Sequence, residues 1–198
     1  FSPDGRYLAF TGYRRGKDVL YVLDVKTREI ERRFDTGLSA MVGPSWSPDG
    51  KHLVFSGAEH GFSNIYMIDA DGRNLRKLTE GMVSGLMPNW SPDGRKVAFV
   101  SDRGQGTNLE LLKFGKWRIN LLDVETNAIE VIAGQAGKNL NPMWSPDGKS
   151  LAFISDRTGI PQVFLYDFET KEHYQLTRFI GGVQSVTENS PAMTWARQ

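Results

Sequence analysis

The sequence predicts an all-β fold, a β-propeller of four-stranded antiparallel blades, and three observations carry that expectation. The pentapeptide Trp46-Ser47-Pro48-Asp49-Gly50 returns as Trp90 to Gly94 and as Trp144 to Gly148, with a variant at Phe1 to Gly5. Its serines, Ser2, Ser47, Ser91 and Ser145, stand 45, 44 and 54 residues apart, close to the length of a four-stranded blade. Helical repeats of similar period need long segments with 3.6-residue apolar spacing, and the sequence has none.

Each element of the unit follows from its residues. In the turn, Pro presets φ at the first central position, Asp suits the second, and Gly accepts a positive φ after it. The result is a type I turn with a bulge, joining two antiparallel strands. The segment in front of the turn, Gly43 to Trp46, Met87 to Trp90 and Asn141 to Trp144, is placed innermost, along a central channel. Behind the turn come short apolar runs, Tyr7 to Phe10, Leu53 to Phe55, Val97 to Val100 and Leu151 to Ile154, which suit strands covered on both faces by neighbouring blades. The third strand, Val19 to Asp24, Ile65 to Asp69, Ile119 to Asp123 and Val163 to Asp167, ends each time on an Asp that opens the next turn. The fourth, as in Arg28 to Phe34 and Asn74 to Thr79, is polar and alternating. Such a strand suits the outer edge because its charges discourage pairing with other molecules.

Laid along the chain, the unit divides it into a first blade over 1–38 that lacks its inner strand, a second over 39–80, a third over 81–134 and a fourth over 135–180. The segment 181–198 is the inner strand of a following blade or the closure of the ring. About four blades are covered, and the expectation is a larger ring of six to eight. The chain opens inside a repeat with no initiator Met, which reads as an excerpt of a longer protein, so the lack of a signal peptide carries no information.

Composition excludes some partners. Lys and Arg number 24 against 23 Asp and Glu, a formal charge of +1, so no strong overall field draws nucleic acid or an anionic membrane. The chain has no cysteine and hence no disulfide, which fits cytoplasm and periplasm equally. No apolar run approaches the ~20 residues that span a bilayer.

The unit from Pro142 to Thr177 shows the pattern in full, with Trp144 to Gly148, Leu151-Ala152-Phe153, Ser155-Asp156-Arg157, Gly159, Tyr166-Asp167 and Leu176-Thr177. On these residues the chain resembles the TolB-like, WD-repeat-like propeller repeat family, over essentially its whole length. The resemblance implies a periplasmic or exported bacterial propeller that binds proteins or envelope components, or a propeller that stands before a serine peptidase domain and gates it. It also leaves room for a calcium ion in the channel, for which no ligands can be assigned. The Ser-Asp-Arg triplet is kept at 101–103 and 155–157 but replaced by Gly12-Tyr13-Arg14 and Gly57-Ala58-Glu59, which argues against a symmetric ring of ligands. Asp102 and Asp156 read instead as turn caps, with the Arg packed alongside.

A search for chemistry finds no catalytic residue. No serine stands in Gly-x-Ser-x-Gly, the nearest miss being Gly37-Leu38-Ser39-Ala40-Met41. His52, His60 and His173 have no His-x-x-x-His or Cys partner, and Asp69-Ala70-Asp71-Gly72 lacks the remaining ligands of a calcium loop, so no metal or cofactor is expected. Trp46, Trp90, Trp144 and Trp195 read as indoles packed between blades, and Asp49, Asp93 and Asp147 as turn residues. Function therefore falls to what does not repeat. The third unit carries ten extra residues around 104–116, in which Leu109, Leu111, Leu112 and Phe114, with Trp117 beside them, form either a small satellite core or a partner-binding surface. The loops leading into the inner strands converge at one mouth of the channel and offer Met41, Met82, Asn139, Asn141, Gln184, Glu188 and Asn189. Adaptable Met with amide side chains suits a protein or peptide contact. The expected function is a non-enzymatic protein- or peptide-binding scaffold of an exported bacterial protein, with no nucleic-acid partner. Its partner can also be a neighbouring domain of the same polypeptide. The alternative is the gating propeller of a prolyl oligopeptidase-like serine peptidase whose catalytic domain lies outside this chain.

Overall fold

The computed structural model describes residues 1–104, 106–108, 111, 113–183 and 193–195, and all the named elements among them are β-strands. The first sheet holds β1 (Tyr7–Arg14), β2 (Lys17–Asp24) and β3 (Glu29–Phe34). The second holds β4 (Ala40–Trp46), β5 (His52–Glu59), β6 (Phe62–Asp69) and β7 (Arg76–Lys77). The third holds β8 (Gly85–Trp90), β9 (Lys96–Ser101), β10 (Arg118–Asp123) and β11 (Ile129–Val131). The fourth holds β12 (Asn139–Trp144), β13 (Ser150–Ser155), β14 (Gln162–Asp167) and β15 (His173–Gln175). Every neighbour within a sheet is antiparallel and in sequence order. The strands β1, β4, β8 and β12 touch in succession, so the sheets fan out as propeller blades.

The Ser-Pro-Asp-Gly turn explains how each blade begins. Gly50 N donates to Ser47 O at 3.0 Å and Ser47 N to His52 O at 2.9 Å. Gly50 sits at φ +71°, the left-handed value that glycine tolerates, so the geometry is the type I turn with a bulge. Ser47 Oγ donates to Asp49 Oδ1 at 2.6 Å and accepts from His52 N at 2.9 Å, which pays the polar groups of the turn locally.

Each inner strand also bulges just before its Pro, with register shifts between Val42 and Ser45, Leu86 and Asn89, and Leu140 and Met143. Proline has no N–H to give a ladder, and an edge strand with a bulge accommodates it. The residues in front, Gly43, Met87 and Asn141, take φ of +63°, +54° and +53°.

Packing is lateral, with one apolar core between each pair of neighbouring sheets. Phe55, Phe99 and Phe153, the Phe of each second strand, are fully buried there. Burying such a ring stabilises by about 1.5–3 kcal/mol. The outer margin is closed by the repeated Leu-Thr. Thr79 Oγ1 accepts from Ile65 N at 3.0 Å and donates to Asn64 Oδ1, and Thr177 Oγ1 does the same with Val163 N and Gln162 Oε1. The third sheet substitutes Gln135, whose Oε1 accepts from Ile119 N at 2.7 Å.

One strand expectation is corrected, and another falls largely outside the described residues. The outer strand of the second unit, expected over Asn74 to Thr79, pairs only over Arg76–Lys77, because Asn74 adopts φ +55° and spends its amide on Asp69 Oδ2. Of the strand expected around Pro191 to Trp195, Pro191 and Ala192 lie outside the described residues and 193–195 form no ladder.

Candidate functional site

The inner strands turn one edge toward a common space. Residues of β4, β8 and β12, the first turn and Met193 to Trp195 line a groove of about 900 Å³. Its polar lining consists of serines, Asn89, Asn141 and Thr194, and among the described residues it contains no Asp, Glu, Lys, Arg, His, Tyr or Cys. The apolar lining is mostly indole, proline ring and thioether, with Phe1 and Val42 beside them.

Side chains knit the wall from sheet to sheet. Asn89 Oδ1 accepts from Trp144 N at 3.0 Å, Met87 Sδ accepts from Asn141 N at 3.3 Å, and Trp195 Nε1 donates to Met143 O at 3.2 Å. The indoles are wedged between sheets with an edge at the groove. Trp144 stacks on Phe168 at 4.9 Å, Trp46 lies 6.5 Å from Tyr7, and Trp90 and Trp144 are buried, whereas Trp195 is partly exposed. The Nε1 atoms of Trp46, Trp90 and Trp144 are buried without an acceptor among the described residues. Such orphan donors are uncommon in folded proteins.

At one mouth the turns stack. A methyl group placed on Gly50, Gly94 or Gly148 would lie 3.7 Å from Pro3, 3.8 Å from Pro48 and 3.2 Å from Pro92, so each glycine rests on the proline of the preceding turn.

Of the residues proposed for the channel mouth, Asn141 lines the groove. Met41 does not: it is 1 % exposed, its sulfur accepts from Thr36 Oγ1 at 3.1 Å, and its amide donates to Asp18 of the first sheet at 2.9 Å. A side chain so enclosed cannot meet a partner. Asn139 is likewise buried, its amide spent on the carbonyls of Trp117, Ala136 and Gly137. Met82 is exposed but outside the groove, and Gln184, Glu188 and Asn189 lie outside the described residues.

In the insertion, Leu111 and Phe114 are exposed and so form no satellite core, Trp117 is half-buried, and Leu109 and Leu112 lie outside the described residues. Asp102 and Asp156 accept the amides of Ser84 and Lys138 at 2.8 and 2.7 Å, while Arg103 and Arg157 lie over Phe99 and Phe164. Met87, Asn89 and Met143 belong to the segments that the sequence places along the channel, but the sequence reading does not single them out as site residues. Their signal was present: inside Pro-x-Trp and just before it, the sequence varies while its flanks repeat.

The TolB beta propeller domain family matches residues 1–109. A TolB homolog of Chlorobium luteolum is 32% identical over 170 residues, which is 85% of this chain and 26% of that protein. The Tol-Pal system protein TolB of Syntrophus aciditrophicus is 35% identical over 68 residues, 34% of this chain and 14% of that protein. TolB from Acinetobacter baumannii superposes with a TM-score of 0.72 at 26% identity, over 89% of this chain and 42% of the other. The chain thus spans about a quarter of the first relative's length. The repeat, the blades and these matches agree, and the chain belongs to the TolB beta-propeller family.

Proposed function

We propose that this part of a propeller is a non-enzymatic scaffold that holds an uncharged, extended polypeptide segment in its axial groove, within a larger ring of six to eight blades of an exported bacterial protein. The observation that carries this reading is a lining that, among the described residues, holds no titratable group. Acid–base catalysis needs a side chain that can exchange a proton, and a nucleophilic serine needs a base within hydrogen-bond reach. The hydroxyls of Ser2 and Ser145 donate to Asp4 and Asp147 and accept the amides of Tyr7 and Ser150, so they are tied into their turns.

What the wall does offer is flat aromatic edge, proline and adaptable thioether, the surfaces on which peptides pack. A charged side chain entering this space would lose its hydration without a partner, which selects for neutral sequence. The Nε1 atoms of the three indoles are enclosed, so it is their ring edges and not their N–H groups that would meet a ligand. The name of the Syntrophus relative, a Tol-Pal system protein, supports a protein partner and a periplasmic setting.

The test is a titration of the protein with tryptophan-free peptides, followed by tryptophan emission. Uncharged peptides should give a saturable shift, and Asn89→Asp, which keeps the acceptor for Trp144 N but charges the wall, should abolish it. If no neutral peptide binds, and full-length protein cleaves peptides through a flanking Gly-x-Ser-x-Gly domain, the gating reading replaces this one.

A further inference from the structure

The overall charge of +1 conceals a local run. Lys113-Phe114-Gly115-Lys116-Trp117-Arg118 holds three cations and two aromatic residues with no acid among them. It forms the returning half of the loop between β9 and β10, at the end of the third sheet opposite the turns. Lys113, Lys116 and Arg118 are exposed, and none enters an ion pair among the described residues. Phe114 is 71% exposed and Leu111 63%. The third sheet is flanked by the second and the fourth, so this exposure does not arise from an open side of the fan.

The run is held rather than loose. Asn108 and Lys113 exchange both backbone hydrogen bonds, at 2.9 and 2.8 Å, and Gly115 N donates to Thr107 Oγ1 at 2.9 Å. A side chain at 115 would strike Asp102 O and Thr107 Oγ1, so the glycine lets the strand lie flat on its base. Lys138 Nζ stands 5.9 Å from the centre of the Trp117 ring. The neighbouring loop with exposed Met82 is tied to the same base through Ser84 N and Asp102 Oδ1.

We infer that this hairpin docks on an anionic phospholipid surface, with Phe114 and Leu111 entering the headgroup layer and Lys113, Lys116 and Arg118 meeting the phosphates. Aromatic and aliphatic tips flanked by Lys and Arg are the pattern of interfacial binding. Leu111 and Phe114 line neither the axial groove nor the surface cavity beside Phe34, and three cations on one short run match the phosphate charge of such a surface. Single-stranded nucleic acid needs several open aromatic faces for stacking, and here Trp117 is half-buried beneath Lys138. This surface is separate from the groove and does not depend on the reading given for it.

Co-sedimentation with vesicles tests the assignment. The protein should pellet with phosphatidylcholine vesicles that contain phosphatidylglycerol, not with phosphatidylcholine alone, and high salt should release it. Each cation near such a surface contributes on the order of fivefold in partitioning, so Lys113→Gln with Lys116→Gln should weaken binding by more than about tenfold. Phe114→Ser should weaken it with the charge intact, and Lys149→Gln at the opposite end should leave it unchanged. All these positions are exposed, and an unchanged melting temperature would confirm that folding is not the cause. Binding that is absent at low salt, or insensitive to the hairpin variants, overturns the inference. So does a hairpin-dependent association found only with a second copy, an acidic protein or RNA.

Discussion

The two ends of the blades solve the same problem differently. At the turn end, four copies give one answer: Ser Oγ donates to Asp Oδ1 at 2.5–2.6 Å each time, the Asp accepts the amide two residues on at 3.0 Å, and three of the four glycines rest on the preceding proline. At the loop end the second sheet anchors its inner strand differently from the third and fourth, which share one device. Ser39 donates to Ala58 O, Met41 N reaches across to Asp18, and Ser84 and Lys138 are held by Asp102 and Asp156. Where every contact serves the backbone, the residues recur. Where the chain must also present a surface, as at Lys113 to Arg118, only the anchoring is kept and the residues diverge.

The sharpest way to break that contrast is to delete one aromatic ring at each end. Trp144→Ala removes an indole buried between the third and fourth sheets and should cost about 3–5 kcal/mol in urea unfolding. Phe114→Ala at the loop end should change stability by no more than about 0.5 kcal/mol. Similar losses at both positions would mean that the insertion is part of the core.

A smaller effect is expected at the loop-end anchors. Asp102 is buried and its Oδ1 accepts Ser84 N, so Asp102→Ala leaves an amide unpaired and should cost about 1–3 kcal/mol. Hydrogen exchange at Ser84 should quicken beyond the global loss, whereas Asp102→Asn retains an acceptor and most of the protection.

The turn end can be sharpened within itself. Gly5 and Gly148 share φ +72°, but among the described residues a Cβ on Gly5 meets nothing within 4 Å while one on Gly148 lies 3.2 Å from Pro92. Ala at either position incurs the left-handed strain of roughly 1–2 kcal/mol. Gly148→Ala should cost up to about 1 kcal/mol more through crowding. Equal losses in denaturant would show that the turns do not stack tightly.

How much of this was legible in the sequence depends on how local each interaction is. The turn was readable because Ser47, Asp49, Gly50 and His52 satisfy one another within six residues. The blades followed from its spacing. The groove was not readable from the loops, because its lining is chosen by the bulge before each Pro, and a single left-handed residue such as Met87 or Asn141 decides what faces the axis. Met41 and Asn139 looked available as loop residues. Their burial is set by Asp18 on another sheet and by Trp117 at the base of the insertion, partners 23 and 22 residues away. In the insertion the informative pattern is the interleaving of apolar residues with Lys113, Lys116 and Arg118, which enter no ion pair among the described residues.

The smallest effect belongs to the lateral seam between sheets, where pH should act through His173. Its Nε2 lies 2.8 Å from Ala133 O and so carries the proton, leaving Nδ1 to accept from Arg157 Nη2 at 3.4 Å. The ring stands edge-on to Phe153 and is tilted against Tyr166. Burial holds this imidazole below its usual pKa; the hydrogen bond to Ala133 opposes that shift, and the charge of Arg157 adds to it. A folded pKa below the unfolded value means that the unfolded chain binds the proton first. The stabilisation is therefore complete above the ordinary histidine value of about 6.5 and is lost as pH falls below it. Melting temperature should drop as pH falls from about 7.5 to about 5.5, and His173→Gln should flatten that drop. If His173→Gln left the drop unchanged, the pH dependence would come from other groups, and the seam between the third and fourth sheets would not depend on a neutral imidazole.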